Sequence, residues 1–565
     1  PGTEAAADCA GVQRAGGAKM TDTAVWFDVH SLIDESVKVE KPSHGRDDPD
    51  KGHSRMPDNG WKDVVTMLAL QGLVNRRGPR LMYDTQFWNW PPADAAWRDY
   101  YAAHKGLAFE TLPDMGAVIE RFGDDFRGLV IHDPAVEQSL YVACMLAGLE
   151  DLLPVSPEMA AKLDAEVKHD LRGRWTDEFA PLDYAIEELM PRCAPGMAYS
   201  VDRLWSGMSI DALDLAVARK AFIYRCSTVE AFREDAGRIW RIQGRLGPNC
   251  GIYGWGEPED DYCRMASMNS NYIMCAEAPN LSFHAQVRAD RAEFRQKSHP
   301  KEPFTLEDKV YVAFLTTEGD AMKIHTVFQG GAWHDPDRGK VPVNWGFQPR
   351  MLDIAPAMAE YYFNSMSEKD YFYCGCSGAG YTYPNWMPEP EEFFRETDEY
   401  MRRSDLQVMD CWIYFSRPVY ETYARLSPHT KAFVMPAGPL QVKMTEAGTP
   451  VILRDGRLHY FASEKTPEDM AEAIRAAAAD AVCRPVFLTV FAVPNAHGNT
   501  SAQDGFAPSD YLKVTEILGG EQFKFVTLEE MAWAASEFLR QHPEWANRPM
   551  GRGATRSLGV NVADD

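Results

Sequence analysis

Carboxylates are the residues whose type and spacing first suggest chemistry in this chain. Glu318 and Asp320 straddle Gly319 directly after the apolar run Val310–Thr316, near enough for each to shift the other's pKa. Asp410 interrupts the apolar run Val408–Tyr414, where a carboxylate is costly unless something pairs with it. A pair of such groups can break a glycosidic bond: one protonates the leaving oxygen while the other activates water or attacks directly. His497, in the stretch Asn495-Ala496-His497-Gly498-Asn499, could add a proton shuttle or a donor that orients a ligand. Glu257 follows the run Cys250–Trp255, with Glu259, Asp260 and Asp261 close behind.

Each of these groups also has a plainer explanation. Glu318 and Asp320 suit a solvated turn, or a carboxylate cap on a helix over residues 321–328. His497 suits a loop histidine with its hydrogen bonds satisfied, and Glu257 belongs to an acidic run of the kind that faces water. A metal-dependent deacetylase would need Asp320, His325 and His497 to converge, yet neither histidine lies in an HxxxH or HxxE spacing. A polysaccharide lyase would use Tyr381 or Tyr383 with His497, and would need Arg350 or Lys323 to neutralise a uronate. A nucleophile at Cys374 or Cys376 would require a histidine partner that the sequence does not place beside it.

These groups sit where strands are expected to end. Apolar strand runs fall at 221–226, 250–255, 271–275, 310–316, 341–347, 371–376, 408–414, 432–435 and 485–493, and most of the gaps carry helical periodicity, as over 229–243, 354–363, 391–402 and 467–481. Alternation of this kind over some 300 residues predicts an irregular (β/α) barrel-like domain across 191–540, with a doubly wound sheet as the alternative. Reactive residues of such a barrel lie on the loops that follow strands. Ahead of it, an amphipathic helix over 61–74, a strand at 80–84, a strand at 126–132 and a helix at 139–149 predict a layered α/β domain over 20–190. That domain contains no GxGxxG loop and reads as a scaffold. Residues 450–462 read as a hairpin about Asp455-Gly456. Residues 1–19 read as an extension without fold information, and 541–565 as a tail.

Composition narrows the function classes. The 565 residues carry a formal net charge of −25, which repels nucleic-acid phosphates and anionic membrane surfaces. The 15 Trp and 23 Tyr suit clefts in which sugar faces stack on rings, although such residues also fill cores. No apolar run of 18 residues and no leader pattern occurs, and the cysteines form neither a disulfide framework nor CxxC ligand pairs. A cytoplasmic enzyme is the expectation, or a secreted one if a leader has been removed. Neither metal nor organic cofactor is expected, and the oligomeric state is open.

The stretch from Cys374 to Pro384 packs glycines between aromatic residues, and within it Gly378-Ala379-Gly380-Tyr381-Thr382-Tyr383-Pro384 resembles the GxGYxYP pattern that names a family of putative glycoside hydrolases. Leu70-Gln71-Gly72-Leu73-Val74-Asn75 is similar to part of that family's N-terminal region. The resemblance covers about residues 20–540 and implies a carbohydrate-active enzyme with the motif in its C-terminal domain. It carries over Gly378, Gly380, Tyr381, Tyr383 and Pro384 but names no catalytic acid. Taken together, the residues predict a glycosidase with Glu318, Asp320, Asp410 and His497 as catalytic groups. Trp345, Gly378, Gly380, Tyr381, Tyr383, Trp412, Glu257 and Asn499 are expected to line the sugar site. The alternatives are a non-catalytic carbohydrate-binding protein and the lyase.

Overall fold

The computed structural model describes residues 23–34, 36–37, 59–86, 93–202, 212–226, 233–256, 258–275, 278–301, 304–436, 438–462, 465–495 and 505–551. Glu257, His497 and Asn499 lie outside the described residues. Within them the strands make four sheets. The first contains β1 (Ala24–Asp28), β2 (Leu81–Asp84) and β3 (Phe109–Thr111) in the order β2-β1-β3, all parallel. The second contains β4 (Leu129–Ile131), β5 (Leu153–Val155) and β6 (Val167–Asp170) in the order β5-β4-β6, again parallel.

Helix Trp61–Asn75 joins β1 to β2 and is buried from Val64 to Asn75. Its surface is apolar nearly all round, as a helix enclosed on all sides requires. Both amides in its last turns make buried hydrogen bonds. Gln71 Nε2 donates to Asn280 Oδ1 (2.6 Å), and Asn75 Oδ1 accepts from the N–H groups of Arg80 and Leu81 (3.0 Å each). The LQGLVN segment is thus a tie between the first sheet and the chain near residue 280.

The third sheet, β7 (Met197–Asp202), β8 (Phe222–Cys226), β9 (Gly251–Gly254) and β10 (Tyr272–Met274), is parallel in the order β10-β9-β7-β8. The runs at 221–226, 250–255 and 271–275, expected to open the barrel, therefore form a sheet of their own. The period of a buried parallel strand is the same in either sheet, so periodicity could not separate them.

The fourth sheet holds β11 (Val310–Thr316), β12 (Val343–Phe347), β13 (Asp370–Cys374), β14 (Val408–Asp410), β15 (Ala432–Met435), β16 (Gln441–Met444), β17 (Pro450–Leu453), β18 (Val486–Ala492) and β19 (Phe523–Phe525). Its order is β16-β17-β15-β14-β13-β12-β11-β18, with β19 beside the start of β11, and only β16 runs antiparallel. The sheet curls into a half-barrel. Helix Leu528–Gln541 packs against β11, β14, β16 and β17, strands well separated in the sheet order. Every residue of β11 and β18 is buried, as expected when both faces of a parallel sheet are covered.

The hairpin lies elsewhere than the Asp-Gly pair suggests. It joins β16 to β17 through Thr445–Thr449, with Gly448 at φ 83 and the Thr445 N–H donating to the Thr449 carbonyl. Asp455 is diverted by its own side chain, which accepts from the Arg457 N–H (2.9 Å) and caps a short 3-10 turn.

Candidate functional site

The motif loop occupies the junction between the third and fourth sheets. It leaves β13 through Cys376 and Ser377, both at positive φ (36 and 71), and the Ser377 N–H donates to the Asp410 carbonyl at 2.8 Å. Gly378 and Gly380 follow at φ +135 and +144. A Cβ on Gly378 would stand 2.3 Å from the Tyr423 hydroxyl, and one on Gly380 would stand 2.3 Å from the Tyr272 ring. At both positions the missing side chain admits a neighbouring tyrosine. Arg350 fastens the loop between them, its Nε donating to the Ala379 carbonyl at 2.6 Å while its guanidinium binds Glu396 and lies 4.3 Å from the centre of the Tyr272 ring. Tyr381 then pairs with Ile273 of β10, each backbone N–H donating to the other's carbonyl at 2.8 Å.

That pairing aims the motif tyrosines at a set of carboxylates. Alternation along an extended chain puts Tyr381 and Tyr383 on one side. Helix Glu259–Met268, which follows β9, presents Glu259 and Asp260 in its first turn, where the helix dipole favours negative charge. The Tyr381 hydroxyl donates to Glu259 Oε1 (2.6 Å) and the Tyr383 hydroxyl to Asp260 Oδ1 (2.8 Å), with the two hydroxyls 3.1 Å apart. The Trp255 indole lies parallel to the Tyr381 ring, 8° between planes and 6.2 Å between centres.

From the fourth sheet, the loop after β11 brings Glu318 and Asp320 to the same place. Gly319 touches the backbones of Gly346 and Gly375, where a Cβ would come within 2.5 and 2.6 Å of main-chain atoms, so three successive strand ends close up behind the loop. Gln348 Nε2 donates to the Asp320 carbonyl (3.0 Å), and the Cys275 thiol donates to Asp320 Oδ2 (3.0 Å). Burial pushes the Glu259 carboxyl up to about 7; the Tyr381 donor opposes this, and the charges of Asp320, Asp260 and Glu318 reinforce it. Burial also lifts the Tyr381 hydroxyl well above its ordinary value, so it remains a donor. A partly open carboxyl that holds its proton near neutrality, beside a buried Asp320, can donate that proton to a leaving group while a second carboxylate acts from the other side.

The other expected site residues divide. Asp410 ends β14 instead of interrupting a longer strand, and it pairs with Arg454, both side chains being 1% exposed. Burial pushes its carboxyl up and the guanidinium opposes the rise. Arg454 also meets His459 Nδ1 (3.1 Å), and Trp412 lies 5.8 Å from the His459 ring, half-buried at the edge of this group. Trp345 lies within β12 and not beyond it. It is fully buried against Trp333, and its indole N–H donates to Asp370 at the start of β13, away from the carboxylates. His325 is buried, its Nε2 accepts from the Gln348 N–H (3.2 Å), and desolvation lowers its pKa to about 3, which suits a brace and not a proton carrier. Among the described residues no group of three His, Cys, Asp or Glu side chains could hold a metal ion. Burial pushes the Cys374 and Cys376 thiols up, opposite to what a nucleophile needs.

Glu259, Asp260 and Cys275 are the site residues that periodicity and spacing did not single out. The two carboxylates belong to the acidic run that reads in the sequence as facing water. The only pointer was the Tyr-x-Tyr pattern, which calls for two neighbouring acceptors.

Two family models match the chain: the GxGYxYP putative glycoside hydrolase C-terminal domain over residues 308–531, and the GxGYxYP_N second domain over residues 126–193. The chain belongs to the GxGYxYP putative glycoside hydrolase family. The first match begins just before β11 and the second spans β4 to β6. A solved structure of a putative hydrolase from Bacteroides thetaiotaomicron shares the fold at 17% identity and a TM-score of 0.71, over 91% of this chain and 95% of that one. A putative polysaccharide deacetylase from Mycobacterium smegmatis is similar at 11% identity and a TM-score of 0.30, over 47% of this chain and 99% of that one, too weakly to inform the site. No curated protein matches the sequence.

Proposed function

We propose that this family member hydrolyses glycosidic bonds of an oligo- or polysaccharide at the junction of the third and fourth sheets. Glu259 is the general acid in this reading, and Asp320 is the partner that activates water or attacks the sugar. Burial keeps Glu259 protonated, and the charges of Asp320, Asp260 and Glu318 add to its effect. Tyr381 and Tyr383 hold the two helix carboxylates and, with Trp255 and Trp412, line the path of the sugar. Asp410 positions the motif loop through its carbonyl, and its side chain serves the buried pair with Arg454. The observation that carries the reading is the donation of both motif tyrosines to carboxylates of one helix turn, beside Asp320.

The lyase reading is weaker because it needs a cation free to face a uronate. Arg350 is buried and committed to Glu396 and the Ala379 carbonyl, while the surrounding carboxylates would repel an acidic sugar.

A panel of neutral, amino and acidic glycans, with products separated and identified, tests the proposal. Glu259→Gln and Asp320→Asn should each lower kcat/KM by roughly 10²- to 10⁴-fold. The Glu259 variant should recover most of its loss on an aryl glycoside whose leaving group needs no proton. Glycan binding without any product in the parent chain would make it a binding protein, and an unsaturated product would make it a lyase.

A further inference from the structure

The chain leaves the motif through a short 3-10 turn, Pro384–Trp386, closed by the Trp386 N–H donating to the Tyr383 carbonyl at 2.9 Å. Such a turn repeats every three residues, so Tyr383 and Trp386 project to the same side. On the helix facing it, Asp260 and Arg264 are four residues apart and also share a face. The contacts follow both repeats: the Tyr383 hydroxyl donates to Asp260 Oδ1, and the Arg264 guanidinium lies over the Trp386 ring, 5.6 Å from its centre. Trp386 therefore stands one helical turn, roughly 5.4 Å, beyond the Tyr383–Asp260 contact. That step is close to the length of one pyranose unit.

Trp386 differs from the motif tyrosines in what it leaves open. Tyr381 and Tyr383 are 2% and 3% exposed, whereas Trp386 is 50% exposed. With Arg264 over one face of the indole, the other face is the one left to solvent. The turn is also fixed from its far side: Asn385 Nδ2 donates to the Tyr414 carbonyl (2.8 Å), and Asn385 Oδ1 accepts from the Ser416 N–H (2.9 Å). Asn385 thus clamps the turn to the chain that follows β14. A flat apolar face held rigidly at the rim of a site loses little entropy when a ring stacks on it. The charge around it selects a neutral ring, because Glu259, Asp260 and Asp261 open the same helix and Arg264 is already paired with Asp261 (3.3 Å).

We propose that Trp386 is the platform of a further sugar subsite, on which a neutral pyranose stacks when a glycan runs from Glu259 past Tyr383 along helix Glu259–Met268. The inference rests on the glycosidase reading of the site and adds a preference for uncharged chains long enough to reach the indole.

Two measurements on the full chain test it, both with gluco-, manno- and galacto-oligosaccharides from disaccharide to hexasaccharide as probes. The first is kcat/KM. For Trp386→Ala the loss should grow with chain length to roughly tenfold on the longest probe that the parent hydrolyses, carried by KM and not by kcat, and Trp386→Phe should recover most of it. Trp240→Ala, which removes the exposed indole on helix Arg233–Leu246, should follow the parent at every length. A loss equal at all lengths, or no loss, overturns the proposal. The second needs no turnover: the affinity of Glu259→Gln for the same probes, measured by calorimetry, should fall by the same factor when Trp386→Ala is added. Because the ring is half in water, alanine should leave Tm within about 2 °C of the parent, which separates lost binding from lost folding. If the parent hydrolyses none of the probes yet binding still depends on Trp386, the glycosidase reading has failed and the platform stands. If hydrolysis is present and indifferent to Trp386, the platform alone has failed. Probes that neither bind nor react overturn both.

Discussion

Glu259, the general acid of the proposed reaction, ties the stability of the fold to pH. Its carboxyl binds a proton up to about pH 7 in the folded chain, against an ordinary value of 4.5. Between those two pH values the unfolded chain has released a proton that the folded chain retains, so folding stability falls as pH rises through this window. Glutamine does not titrate. Glu259→Gln should therefore raise Tm by a few degrees at pH 8 and leave it near the parent value at pH 4, with the gain appearing between roughly pH 4.5 and 7. A thermal melt series in matched buffers checks this, and a gain of equal size at pH 4 would remove titration as its cause. Such a residue was hard to recognise from sequence. Three acids after a proline at a helix start are usually stabilised by the dipole and by water, and what distinguishes Glu259 is a tyrosine 122 residues away. The position of Asp320 just after a strand, by contrast, could be read from the apolar run that ends at Thr316.

At the level of elements, the strands of the fourth sheet could be read from apolar runs, but their limits could not always be. The run at 341–347 continues through Asn344 and Trp345 because Asn344 is satisfied inside the sheet, donating to the Phe314 carbonyl and accepting from the Leu528 N–H. Polar residues there marked a filled gap between strands and not a strand end. Helix Leu528–Gln541 is held in a way that makes its anchorage sensitive to pH. His299 sits between Glu529 of that helix (2.8 Å) and Asp405 before β14 (3.0 Å). Burial pulls the His299 pKa down, but the carboxylates of Glu529 and Asp405 more than offset this and the net shift is upward from 6.5. The stabilisation is thus complete below the unfolded value of about 6.5 and is lost as pH rises through the folded value. His299→Gln should melt furthest below the parent at pH 6, and the deficit should close as the pH is raised toward 9. A deficit independent of pH would mean that the imidazole acts by packing alone.

The whole molecule places its candidate chemistry between sheets and not within one. The half-barrel supplies Glu318, Asp320 and the motif, the third sheet supplies Trp255, Cys275 and the helix bearing Glu259, and the first sheet is tied to the third through Gln71 and Asn280. Alternation along the chain revealed layered α/β structure throughout but not this division of labour, because which sheet a strand joins depends on contacts far apart in sequence. Among the described residues no helix is long and apolar enough to cross a membrane. The reciprocal pair between Ile273 and Tyr381 has a temporal consequence. Those two amides can meet solvent only when the motif segment lifts off β10, so they report how often the two halves of the site part company. Under native conditions they should exchange with deuterium at matching free energies of opening, read from peptides covering each. If Tyr381 exchanged far faster than Ile273, the motif would be fraying by itself, and the site would spend part of its lifetime dismantled inside an intact fold.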